Sequence, residues 1–227
     1  MNIHIATIFP EMCERVLGES IIGRAVKSGA VNICCHNIRD FATDKHHRVD
    51  GSPYSGGRGM VMMAEPIWKC FLSVTEGLEN LLSVYMSPKG KTLTQSLARE
   101  FLPYENIFIL CGHYEGVDQR VLDRINPIEV SIGDYVVTGG ELPALVLTDC
   151  ICRMLPGVLK EDVCFTDESH WNGLLEYPQY TRPEEWDGMK VPSVLLSGHH
   201  KNIEDWKREQ SIEITKKLRP NLINADK

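Results

Sequence analysis

The chain has 227 residues, 43% of them hydrophobic and 24% charged, with a net charge of −7. That length holds one large domain, or one with a small appendage, and the balance sets aside disorder, collagen and coiled coil. The acidic excess argues against non-specific coating of nucleic acid while leaving room for a local basic surface.

The opening residues, MNIHIATIFP, lack the basic flank and long apolar stretch of a signal peptide. No run reaches the ~20 apolar residues of a membrane span, so a cytoplasmic protein is expected. Residues 3–9 are β-rich and end at Pro10, residues 11–17 read as a helix, and residues 21–28 as another turn or two. Residues 31–35 and 37–38 predict a second strand, followed by a polar stretch, 39–59, with little periodicity. A short strand at 83–87 is expected to stop at Pro88, and a fully apolar strand at 107–111 stops at Gly112. Helical spacing fills 93–101 between them. A further strand covers 129–132, and residues 142–155 give a helix closed by Pro156 and Gly157.

Strands alternating with helical stretches imply an α/β fold with a largely parallel sheet. Three strands end in glycine-bearing loops, at 88–90, 112–116 and 133–140. Ligands sit outside the carboxyl ends of strands in open parallel sheets, so these loops are expected to outline one pocket. After Leu159 the composition turns polar, and 160–172 reads as a linker or loop. Ile203, Trp206, Ile212, Ile214 and Leu218 are spaced for a helix over 202–219. No internal repeat is visible. The eight cysteines form no CxxC pair and have no histidine at zinc-finger spacing. Most stand in apolar company, as Cys111 and Cys164 do, and are expected to be reduced core residues.

The segment 132–147, IGDYVVTGGELPALVL, sets a strand, a glycine pair and a proline-started helix in series. Gly139 and Gly140 permit close backbone approach, and free N–H groups at the helix start can hold a polar molecule. A plain strand-to-helix turn is the other reading. Neither G-x-G-x-x-G after the first strand nor G-x-x-x-x-G-K-[ST] is present, and the glycine-rich residues 56–60 lie in a polar loop. A nucleotide-dependent enzyme using that loop is therefore disfavoured. Residues 112–118, GHYEGVD, place an aromatic ring and carboxylates beside glycines, to stack on a base or to meet a cation, or simply to form a surface turn. Arg153 falls in the last turn of its helix, where satisfying carbonyls is the simplest role.

Asp167, Glu168, His170 and Trp171, then Tyr177, Tyr180, Thr181 and Arg182, gather acids, rings and an arginine around one irregular segment. Such acids are commonly only solvated charge. Here Lys201, Lys207, Arg208, Lys216, Lys217 and Arg219 follow, and rings with cations suit an unstacked RNA loop. An acid can then take a proton from a base being modified.

With these residues in place, the chain closely resembles the bacterial tRNA (guanine-N1)-methyltransferases of the TrmD family, in the SPOUT superfamily. The matching motifs run through residues 8–12, 23–26, 54–60, 85–90, 111–118, 131–144, 156–159, 173–178 and 191–198. The resemblance implies a SPOUT-type parallel sheet with a deep trefoil knot over residues 1–160, a linker at 161–172, and a small α-helical tRNA-binding domain at 173–227. It also implies a homodimer that binds S-adenosylmethionine inside the knot and methylates N1 of guanine 37 beside the tRNA anticodon. The cofactor-binding residues carried over are Tyr85, Met86, Ser87, Pro88 and Gly90 on a first loop, and Gly112, Tyr114 and Glu115 on a second. Ile132, Gly133, Asp134, Tyr135, Val136, Val137, Gly139, Gly140 and Pro143 fall on a third. The family's general base is an aspartate in the interdomain loop, and Glu168 occupies that position, a departure that leaves neighbouring Asp167 as the alternative. A non-catalytic RNA binder that lost its base is the rival this departure suggests. Arg153 matches the arginine that assists at the guanine. Mg2+ is implied as well, with Glu115 as a metal-binding candidate. Asp50, Arg58, Gly59, Tyr180, Thr181 and Arg182 are the candidates for contact with the anticodon stem-loop. Lys27, Arg39, Lys45, Arg48 and Arg58, against Asp40, Asp44 and Asp50, make a basic surface feasible on an acidic chain.

Overall fold

The computed structural model describes residues 1–54, 56, 58–161 and 163–223, with Val163 described in its backbone alone. Ser55 and Gly57 of the glycine-rich loop, Asp162 of the expected linker and residues 224–227 of the expected C-terminal domain lie outside the described residues. The chain forms two compact units, Met1–Lys160 and Glu161–Lys227.

The first unit opens with β1 (Asn2–Thr7), α1 (Pro10–Leu17), α2 (Ser20–Ser28) and β2 (Asn32–Asn37), followed by a 3-10 turn at Ile38–Phe41. An antiparallel pair, β3 (Asp50–Gly51) and β4 (Val61–Met62), precedes α3 (Ala64–Thr75). Then come β5 (Leu81–Thr92), α4 (Gln95–Glu100), β6 (Asn106–Cys111), α5 (Gln119–Ile125), β7 (Ile128–Ser131) and α6 (Glu141–Cys152). Five strands make one parallel sheet in the order β2-β1-β6-β5-β7.

The central strand β6 is buried along its whole length, which is why it reads as an unbroken apolar run. Side chains alternate across it. Ile107, Ile109 and Cys111 join the core under α1, α2, α4 and α6, while Phe108 and Leu110 join the core under α3 and α5. Local signals set the ends of several helices. Thr94 caps α4 by accepting from the Leu97 N–H at 3.1 Å, Asp118 caps α5 by accepting from the Arg120 N–H at 3.0 Å, and α2 stops at Gly29 in the left-handed region.

Two expectations need correction, and several elements had not been anticipated. The strand at 83–87 does not end at Pro88: β5 continues to Thr92, because residues 87–90 bulge out of the ladder. Met86 and Lys91 both pair with Val130, so Pro88 needs no ladder N–H. Helices α3 and α5 and the short β3–β4 pair had no counterpart in the sequence reading. Cys164 is exposed rather than part of the core, since it lies on the single helical turn Val163–Thr166 in a polar stretch. Cys13, Cys70, Cys111 and Cys152 are buried, and no disulfide joins any of the eight cysteines.

The second unit contains α7 (Val163–Thr166), an antiparallel pair β8 (Glu185–Trp186) and β9 (Met189–Lys190), then α8 (Ser193–Leu196), α9 (His200–Leu218) and α10 (Pro220–Ile223). Segment 169–177 is tied to α9 by Thr215, whose hydroxyl accepts from the Leu175 N–H at 2.8 Å and donates to the Ser211 carbonyl at 2.6 Å. Among the described residues no helix is long and apolar enough to cross a membrane.

Ile109→Ala is expected to cost about 2–5 kcal/mol in denaturant unfolding, as a fully buried aliphatic side chain truncated in a sheet core. Cys164→Ser should stay within about 0.5 kcal/mol of the parent.

Candidate active site

A cleft of about 450 Å³ opens at the bulge of β5 and the carboxyl ends of β6 and β7 in the first unit. Its volume suits a small molecule of nucleoside size, and backbone forms much of its wall. The bulge of β5 contributes Tyr85, Met86, Ser87, Pro88 and Lys89; the loop after β6 contributes residues 112–117; and the loop from β7 to α6 contributes Ile132, residues 135–140 and Pro143. Leu122 of α5 also lines it.

The predicted cofactor residues therefore come together in one place, with three exceptions. Gly90, Gly133 and Asp134 stand off the lining. Gly90 has a different physical reason for being glycine: a Cβ there would lie 2.4 Å from the Glu129 carbonyl carbon and the Val130 nitrogen. The first loop crosses the β7 backbone at that point. Lys89, His113, Gly116, Val117, Leu122, Val130, Ser131 and Thr138 line the cleft and were missed; His113 was within reach, because it sits between the two glycines of GHYEG beside Tyr114.

The third loop is held against the second by backbone contacts. The Gly140 N–H donates to the Gly112 carbonyl at 2.7 Å, and His113 forms an antiparallel bridge with Gly139. A Cβ on Gly140 would lie 2.7 Å from the Cys111 Cα and 2.8 Å from the Gly112 nitrogen. Tyr114 takes a φ of 59°, a left-handed value uncommon outside glycine. Tyr85 is buried at the cleft, and that burial, with the charge of Glu129 adding to it, pushes its phenol up to about 12. It is a neutral hydrogen-bonding group there.

Predicted substrate residues of the first unit collect beside the second loop. Asp50 pairs with Met62 across β3 and β4, the Met62 N–H donates to the Gly116 carbonyl, and the Glu115 N–H donates to the Met60 carbonyl at 2.9 Å. Gly59 lies against Glu115, since a Cβ there would come 2.4 Å from Oε1. Arg58 is exposed next to it. Arg153 is half-buried and stands just past the end of α6, as its C-cap, rather than in its last turn.

In the second unit Asp167 and Glu168 line a smaller cavity, about 210 Å³, with Tyr177, Glu204, Lys207 and Arg208. Lys207 lies over the Tyr177 ring at 5.0 Å and pairs with Glu204 at 2.8 Å, and these contacts, Glu204 first, hold its ammonium above the ordinary range. Tyr177 and Tyr180 both lean on Trp206. Tyr180, Thr181 and Arg182 are exposed. Among the described residues no three of His, Cys, Asp and Glu gather in a way that could hold a metal, so Glu115 is a solitary candidate.

The chain matches the family model described as tRNA (Guanine-1)-methyltransferase TrmD over residues 1–225. A tRNA (guanine-N(1)-)-methyltransferase of Ruminiclostridium cellulolyticum is 54% identical over 225 residues, covering 99% of this chain and 97% of that protein. Proteins of the same name from Lachnospira eligens and Clostridioides difficile are 52% and 50% identical, each across 98% of this chain and 94% and 97% of their own lengths.

Gly140→Ala is expected to destabilise the first unit by about 1–3 kcal/mol, because its methyl group meets backbone that cannot yield. Gly51→Ala, where a Cβ meets nothing within 4 Å, serves as the control in the same denaturation series and should change stability by about 0.5 kcal/mol or less.

Proposed function

This chain belongs to the tRNA (guanine-N1)-methyltransferase family of the TrmD type, and from that premise we propose that it transfers a methyl group from S-adenosylmethionine to N1 of guanine 37 in tRNA. The observation that carries this reading is a single cleft, walled by three backbone-rich loops, in a chain that matches the family almost from end to end. The cleft fits the cofactor on its own terms. Its volume is adequate, its wall is largely backbone, and Gly112 sits where a side chain would press on the Tyr85 ring that lines it. Tyr85, Ser87, Gly112, Tyr114, Ile132, Tyr135 and Gly140 would hold the cofactor, with Glu115 near its charged end. When bound, S-adenosylmethionine supplies a methyl group on a positively charged sulfur, whose departure needs no acid.

The protein's task is then to align N1 and manage one proton. Glu168 is the proposed base, receiving the N1 proton through a side chain one methylene longer than aspartate, with Asp167 as the alternative in the same cavity. Arg153 would balance the negative charge that builds on O6 as that proton leaves. Asp50, Arg58 and Gly59 beside Glu115, and Tyr180, Thr181 and Arg182 in the second unit, would meet the anticodon loop. A Mg2+ ion would find one protein carboxylate, Glu115, and would take its other oxygens from water or RNA.

A trefoil knot is part of the same proposal. It is supported by the third loop crossing the end of β6 at Gly140 before α6 returns to the sheet. We also propose a helical tRNA-binding role for the second unit, a cytoplasmic location and a homodimer. Support for the dimer comes from an exposed apolar face on packed helices: Phe9, Met12 and Val16 at α1, with Leu142 and Val146 on α6. A second copy presenting the same face is the occupant that α1 and α6 fit.

Labelled methyl groups from S-adenosylmethionine should enter a tRNA with guanines at positions 36 and 37 and should not enter the same tRNA carrying adenine at 37. Glu168→Ala or Arg153→Ala is expected to lower transfer by about 100-fold or more while calorimetric cofactor binding persists. Full activity in both variants rejects the assignment, and loss in Asp167→Ala alone moves the base by one residue. No transfer by the parent protein identifies a binder instead. In sedimentation, Val16→Glu combined with Val146→Glu should yield monomers; an unchanged dimer would place the interface elsewhere.

A further inference from the structure

Glu141 is the first residue of α6 and is 3% exposed, yet the proposed reaction leaves it without a role. Its Oε1 accepts from the Thr7 hydroxyl at 2.6 Å, at the buried end of β1. Thr7 in turn accepts from the Phe9 N–H at 3.0 Å. The other oxygen, Oε2, faces His113 Nδ1 at 3.8 Å. That Nδ1 is itself buried and has no hydrogen-bond partner.

A carboxylate so deeply enclosed needs more than one neutral hydroxyl, and a buried imidazole nitrogen needs a partner. Each supplies what the other lacks. Gly139 lies against both, since a Cβ there would sit 2.3 Å from Oε2 and 2.5 Å from Nδ1. A side chain at that position would separate the pair. The neighbouring thiol of Cys111 does not compete for the charge, because burial, with Glu141 adding to it, pushes its titration well up.

We propose that Glu141 is a positioning residue for the cofactor cleft, acting through His113. The His113 ring stands edge-on to Phe9 at 5.2 Å and to Tyr114 at 4.9 Å, and both His113 and Tyr114 line the cleft. Glu141 fixes the imidazole, the imidazole fixes Tyr114 in its left-handed conformation, and Tyr114 carries Glu115 into place. The pair thus ties the end of β1 to the second and third loops. This inference rests on the reading of the cleft as the S-adenosylmethionine site.

The test is a double-mutant cycle read by calorimetric binding of S-adenosylmethionine to the full chain. Glu141→Gln keeps the acceptor for Thr7 but removes the charge, and His113→Phe keeps the ring but removes Nδ1. Each is expected to weaken binding by about tenfold, and the double variant by little more than either single change. His113→Asn, whose amide nitrogen falls near Nδ1, should restore most of the affinity. Thermal unfolding of every variant accompanies the series. Singles that bind like the parent, fully additive losses, or affinities that follow the thermal midpoint with no rescue by asparagine would each overturn the pairing. A parent protein that binds no S-adenosylmethionine overturns the cofactor reading and this inference with it, whereas parent binding with unaffected variants removes the pair alone.

Discussion

The backbone contact between Gly140 and the end of β6 is the constraint on which the first unit depends. A loop can lie this close to a strand end only where no Cβ intervenes, and the 2.7 Å hydrogen bond from Gly140 to Gly112 fixes it there. Several consequences follow from that one crossing. Helix α6 starts directly above β6 and packs Ala144, Leu147 and Ile151 into the core. The third loop is bonded to the second, and both line the cleft together with the bulge of β5. Arg153, one residue past α6, takes its position from the same anchor.

Electrostatics around the cleft are arranged by burial more than by surface pairing. Tyr85, on the cleft wall, and Cys111, buried behind it in the core, are kept neutral by their enclosure. The buried carboxyl group of Glu141 accepts from the Thr7 hydroxyl, begins α6 and faces the His113 imidazole at 3.8 Å. Exposed pairs such as Arg120 with Asp118 and Arg48 with Asp44 contribute little to stability, but they hold loop geometry through Asp118 and Asp44, which also accept backbone N–H groups. A net charge of −7 therefore describes the whole chain and says little about any one face.

What was legible in the sequence depended on whether the cause was local. Strand β6 was readable because burial on both faces leaves only apolar residues, and α6 because a glycine pair and a proline mark its start. The end of β5 was misread because Pro88 looks like a stop, and only the shared pairing of Met86 and Lys91 with Val130 reveals that the ladder resumes. The glycine pair of segment 132–147 was read as leaving room for a ligand, whereas at Gly140 the close neighbour is the chain's own backbone. Glu141 and Gly90 could not be interpreted in advance. Their partners, Thr7 and Glu129, are brought to them by sheet topology across 134 residues in the first case. Cys164 failed for the opposite reason: two apolar neighbours in sequence did not make an apolar environment in space.

The exchange of aspartate for Glu168 implied by the family resemblance is a question of how firmly the backbone there is held. Segment 166–176 is stitched by the His170 N–H to the Leu174 carbonyl at 2.8 Å, the Glu176 N–H to the Ser169 hydroxyl at 2.9 Å and the Asn172 amide to the Thr166 carbonyl at 3.1 Å. Its far end is bound to α9 through Thr215. With the main chain fixed in this way, an added methylene extends the carboxylate from a set origin instead of displacing the loop. Asp167 starts from a different Cα, one residue earlier on the same backbone, although it lines the same cavity. On the proposed reading a longer acid is therefore the smaller change, because it preserves the backbone origin and alters the reach.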